Sequence, residues 1–64
     1  MKGIVKWYNI RRGYGFVRGE DGKSAFVHKN SIPFWNIYLS AGEKVQYDIE
    51  QSKRGLEAKN LKTL

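Results

Sequence analysis

Between residues 43 and 51 apolar and polar side chains alternate: Val45, Tyr47 and Ile49 against Lys44, Gln46, Asp48 and Glu50. On a strand, residues i and i+2 share a face, so this spacing predicts a half-buried antiparallel strand with Val45, Tyr47 and Ile49 inward. The same period of two appears in residues 14–20 and 23–28, where rings alternate with small or aliphatic residues. The polar stretch between them, residues 18–24 with Gly19, Glu20, Asp21 and Gly22, has the composition of a hairpin turn. Tyr14 and Phe16 then share one face with Phe26 and His28, and four flat side chains converge on one sheet surface. Val17, Ala25 and Val27 point the other way, into a core. Residues 2–10, with β-branched and aromatic residues among lysines, predict a first strand, and residues 9–13 a turn after it.

Composition bears on what the exposed rings do. The 64 residues suffice for one domain, residues 1–64, and five Ile, four Val and four Leu can fill its core without them. The net charge is +6, and its placement matters more than its size. Lys2, Lys6, Arg11, Arg12, Arg18, Lys23 and Lys29 face only Glu20 and Asp21 in the half that carries the rings. A positive field over an aromatic surface suits a polyanion with exposed bases. Arg11 and Arg12 are expected to be solvated or to reach phosphates. The chain has no cysteine, which excludes a thiol catalyst and a cysteine-based zinc site. No apolar run approaches the length of a membrane span, and the first residues lack a signal-peptide pattern. The expectation is a cytoplasmic monomer without a membrane partner.

Arg12-Gly13-Tyr14-Gly15-Phe16-Val17 and Phe26-Val27-His28 resemble the two ribonucleoprotein motifs of the cold-shock domain family, bacterial and Y-box-like. Lys6-Trp7-Tyr8-Asn9 is similar to the family's opening Lys-Trp-Phe-Asn. Gly42-Glu43-Lys44-Val45 and residues 54–60 are similar to the lead-in of its fourth strand and to its closing strand. Residues 33–38 lack a close counterpart in the short bacterial members, and Tyr38-Leu39 is more like the longer loop of Y-box domains. The resemblance implies an all-β, five-stranded antiparallel OB-fold barrel that binds single-stranded RNA and DNA. Its contact surface would comprise Lys6, Trp7, Arg12, Tyr14, Phe16, Phe26, His28 and Arg54. Two positions depart from the pattern: Lys29 stands where an aromatic is common, and Ser24 where the family has an Asp thought to read a base edge. Stacking is expected to be kept while base preference differs.

Placing Trp7 outside, as the family does, conflicts with strict alternation, which sets it on the same side as the core residue Val5. A bulge or bend near Lys6 is therefore expected. Residues 29–42 form the longest connection; Pro33 opposes a central strand, and Ser31-Ile32 suits a short helical turn. Phe34, Trp35, Ile37 and Tyr38 make this loop apolar, so that it either packs over one barrel end or forms a second base-binding wall. Residues 52–55 turn the chain, and residues 56–61 close the barrel.

Catalysis finds no constellation. His28 is the only histidine, Glu20 and Asp21 sit in a turn, and Gly13 and Gly15 lack the Lys-Ser/Thr signature of a phosphate-binding loop. A peptide-binding SH3-like groove would carry acidic residues around its rings, whereas Lys6, Arg12, Arg18 and Lys29 flank these. Binding to duplex DNA would use the charge and leave the rings without a role. The expectation is a non-enzymatic RNA chaperone of low sequence specificity, with no cofactor, metal or small-molecule substrate. Trp7, Tyr14, Phe16, Phe26 and His28 would stack bases, and Lys6, Arg12, Lys29 and Arg54 would neutralise phosphates. Tyr8, Phe34, Trp35 and Tyr38 are further candidates.

Overall fold

A computed structural model describes residues 1–32 and 39–64 of the chain. The described strands are β1 (Lys2–Asn9), β2 (Tyr14–Gly19), β3 (Ser24–His28), β4 (Lys44–Ser52) and β5 (Gly55–Thr63), with a 3-10 turn over Lys29–Ser31. They close into a barrel in the order β1-β2-β3-β5-β4. The expected all-β five-stranded barrel is what the chain forms. Every pairing is antiparallel except that of β3 with β5, which is parallel, with Phe26 opposite Glu57 and Val27 opposite Ala58. The β4–β5 hairpin returns the chain alongside β3 in β3's own direction.

The bulge expected near Lys6 is present. Val5 pairs with Val17, the next aligned pair is Trp7 with Phe16, and Lys6 is the extra residue. One inserted residue reverses the side on which each later side chain emerges. Val5 therefore enters the core while Trp7 stays outside. The backbone N–H of Val5 donates to the Glu43 carbonyl (2.9 Å), and the Gly42 N–H donates to the Val5 carbonyl (2.7 Å), which ties this point of β1 to the approach to β4.

The core comprises Val5, Val17, Ala25, Val27, Ile32, Leu39, Val45, Tyr47, Ala58 and Leu61. Among the described residues its only ring is Tyr47. Tyr8 packs against the core partly buried, while Tyr14, Phe16 and Phe26 are left outside it, as the period-two reading of β2 and β3 requires. In β4 the predicted alternation holds for Val45 and Tyr47 and fails for Ile49, which is 38% exposed. Ile49 lies opposite the buried Ala58. It is thus on the inward side of the ladder, but the pairing of β4 with β1 ends at Gln46, so Ile49 has a paired strand on one side only. β5 extends to Thr63, beyond the expected 56–61, and accommodates a second irregularity between the Gln46–Lys62 and Asp48–Lys59 pairs. Asn60, with φ of 54°, takes up that extra residue.

The helical turn comes slightly earlier than expected, over Lys29–Ser31, because His28 caps it: its Nδ1 accepts from the Asn30 N–H at 3.2 Å. The expectations for Pro33, Phe34, Trp35, Ile37 and Tyr38 lie outside the described residues.

The Tyr47 hydroxyl is buried and has no hydrogen-bond partner among the described residues. Burial raises its pKa, and the charge of Asp21 adds to that. A hydroxyl buried without a partner contributes its desolvation cost and no bond. Tyr47→Phe is therefore expected to match or exceed the parent in stability, by up to about 1 kcal/mol. A midpoint in urea clearly below the parent's would reveal a partner for this oxygen.

Candidate nucleic-acid interface

Register sets the outward side chains of β1, β2 and β3 in rows across the sheet. Asn9, Tyr14 and His28 lie side by side; next to them come Trp7, Phe16 and Phe26, and then Ile4, Arg18 and Ser24. Directly opposed residues on neighbouring strands project to the same side, so each row is a line of side-chain contact. The rings touch both within rows and between them. Trp7 lies 5.5 Å from Phe16 and 5.6 Å from Tyr14, centroid to centroid. Phe26 lies 5.7 Å from Phe16, 5.9 Å from Tyr14 and 6.4 Å from His28. The five rings thus form a continuous surface of tilted, edge-on and stacked pairs, geometries that aromatic quadrupoles favour. Trp7 is 43% exposed, and Tyr14, Phe16, Phe26 and His28 are half-buried.

Glycine makes the close packing beneath the rings possible. A Cβ on Gly15 would overlap the Trp7 carbonyl oxygen and come within 2.7 Å of the Tyr8 Cα. The room beside Tyr14 is therefore taken by β1 itself. At Gly13, with φ of +74°, the occupant is the aliphatic stem of Lys29, whose Cδ would lie 2.9 Å from an added Cβ. Lys29 is held there by its N–H, which donates to the Gly13 carbonyl at 2.8 Å. Its stem is thus held next to the Tyr14–His28 pair.

The cations surround the rings unevenly. The Arg54 guanidinium stands over the Phe26 ring, 5.6 Å from its centroid. Lys6, lifted out by the bulge, reaches toward Ser24 (Nζ to Oγ 3.5 Å), at the long limit of a hydrogen bond. Arg12 is exposed in the turn after β1, where its N–H donates to Asn9 Oδ1 at 3.0 Å. Tyr8 is not part of the ring surface: it faces inward, packs against the core, and burial raises its pKa.

The chain as a whole is similar to known proteins. The chain matches the family model described as 'Cold-shock' DNA-binding domain over residues 1–64. Cold shock protein 1 of Lactiplantibacillus plantarum is 47% identical over 60 residues, covering 92% of this chain and 91% of that protein. Cold shock protein CspC of Bacillus subtilis is 41% identical over 61 residues (94% and 92%). A major cold shock protein of Streptococcus pyogenes is 38% identical over 64 residues (98% and 96%). The chain belongs to the cold-shock domain family.

Nucleic-acid binding is the property of that family, and in this cold-shock domain the structure adds Glu57, which sequence reasoning missed. The parallel β3–β5 pairing sets Glu57 opposite Phe26, so an acidic residue borders the ring surface. Its carboxylate forms a 2.7 Å ion pair with Lys59. The hydrogen bond from Lys59 is the main cause holding the Glu57 carboxyl below its ordinary range; burial opposes this, and Ser52 and Arg54 reinforce it. The β5 border therefore carries a carboxylate held ionised by its pairing with Lys59. No local signal in the sequence could have placed it there, because the parallel pairing joins residues far apart in the chain.

Proposed function

We propose that this cold-shock domain binds single-stranded RNA and DNA with low sequence specificity. By holding bases unpaired on Trp7, Tyr14, Phe16, Phe26 and His28, it acts as an RNA chaperone. The continuous outward surface of these rings, in a barrel whose core is built without them, is the observation that carries this reading. Stacking is tolerant of sequence because every base has a π-face, and it requires bases free of a duplex. Lys6, Arg12, Lys29 and Arg54 neutralise phosphates around the rings. Arg54 shields Phe26 in the free protein, and an arriving base displaces the guanidinium toward the backbone of the strand. The action is one of mass-action binding without nucleotide hydrolysis. It suits a cytoplasmic monomer serving transcription, translation or adaptation to cold.

Titration with a single-stranded oligonucleotide is expected to quench tryptophan fluorescence as Trp7 stacks. With about four phosphates neutralised, log affinity should fall against log salt with a slope of roughly −3. Duplex of the same sequence should compete poorly. A slope near zero, no spectral change at saturation, or equal competition by duplex would each remove the stacking mechanism.

A further inference from the structure

The row beyond the rings, Ile4, Arg18 and Ser24, extends onto β4, where Lys44 lies opposite Ile4. On that side the barrel surface holds a groove of about 420 Å³, lined among others by Lys2, Ile4, Arg18, Glu20, Lys44 and Leu64. Its apolar residues are open to solvent: Ile4 is 44% and Leu64 63% exposed. Leu64 is fixed at the groove by its N–H, which donates to the Lys44 carbonyl at 3.1 Å. Among the lining side chains, three are cationic and one, Glu20, is acidic.

We propose that the groove is an additional nucleotide subsite, continuing the path of a single strand past Trp7; the inference rests on the nucleic-acid reading above. Continuity and charge both favour this occupant. Arg18 follows Phe16 by two positions on the same face of β2, about 7 Å along the strand. The extra residue of the bulge, Lys6, reaches to Ser24 in the same row and so stands between the rings and the groove. A strand leaving the rings in the opposite sense, across β5, would meet the Glu57–Lys59 ion pair and then the exposed Asp48 and Glu50 of β4, with Lys59 the only cation in those rungs. The excess of carboxylates disfavours phosphates there, whereas Lys2, Arg18 and Lys44 attract them here. An apolar floor within a cationic rim matches a nucleotide, whose base has an apolar face and whose phosphate is anionic.

The test compares homothymidine oligonucleotides of four and eight nucleotides on the parent and on a Lys2→Gln/Lys44→Gln variant. Both lysines are exposed strand residues, so the fold should tolerate the change, which circular dichroism would verify. The variant is expected to lose about tenfold in affinity for the eight-nucleotide strand at ~50 mM salt, and to flatten its salt slope by about 1.4, for two phosphate contacts. Affinity for the four-nucleotide strand should hardly change. Ile4→Ser should weaken the longer strand selectively as well, and at high salt as strongly as at low. In the parent, the backbone amide resonances of Ile4 and Lys44 should shift with eight nucleotides and not with four. Equal losses on both lengths would mean a general field without a subsite, and no loss on either would leave the groove unvisited; each overturns the proposal. Concentration-dependent shifts of the same resonances without oligonucleotide, accompanied by a dimer in sedimentation, would assign the groove to a second copy of the chain. If the parent bound neither strand, the function proposed above would itself fall.

Discussion

Phe26→Ala is expected to weaken single-strand binding by about 1–3 kcal/mol, a factor of roughly 5 to 150, the range for one lost base–aromatic stack. Phe26 should mark the upper part of this range among the rings. It touches Tyr14, Phe16 and His28, and it carries the Arg54 guanidinium, so its removal loosens the surface as well as one subsite. Some stability is lost with the ring pairs, yet the fold should persist because Phe26 is half-buried and outside the core. Leu61→Ala should do the reverse. Leu61 is fully buried, and its truncation is expected to cost about 2–5 kcal/mol of folding stability. In a small domain that is enough to unfold much of the population, while the folded fraction still binds. Denaturation midpoints and affinities measured together for both variants decide the matter. A Phe26→Ala protein that unfolds readily but binds normally when folded would invert the assignment of faces.

A single added methyl at Gly15 is expected to impair both folding and binding. In Gly15→Ala the new Cβ meets the Trp7 carbonyl and the Tyr8 Cα, both part of β1's backbone and unable to rotate away as a flexible side chain could. Relief requires β1 and β2 to separate where the bulge has just set Trp7 opposite Phe16. Overpacking of this kind costs about 1–3 kcal/mol. Since the displaced strand carries Trp7, affinity should also drop in the molecules that remain folded, with reduced tryptophan quenching. Urea titration and fluorescence on the same variant test both parts. Parent-like stability would show that the two strands do not approach so closely at this point.

Much of this molecule was legible in local pattern. Period-two alternation along β2 and β3, together with the turn between them, assigned Tyr14, Phe16, Phe26 and His28 to one face and Val17, Ala25 and Val27 to the other. That inference succeeds because the direction of a side chain on a strand depends only on its neighbours in the chain. The bulge at Lys6 was not legible in that way: it was expected because the family resemblance set Trp7 outside, against its alternation with Val5. Alternation could not say where a core ends. Ile49 has the spacing of a buried residue, yet it is exposed, beyond the last residue of β4 that pairs with β1.

What the tertiary structure alone decided comes from residues distant in sequence. The order in which strands join placed Glu57 beside Phe26, Arg54 over that ring, and Lys44 and Leu64 around Ile4. Gly15 is a case in a single residue: only the fold says that β1 is the strand that approaches it closely. The sequence by itself thus determined which faces the side chains take and that rings and cations share one half of the chain. Register and barrel closure decided which of them meet, because those depend on non-local pairings that close only when the whole sheet does.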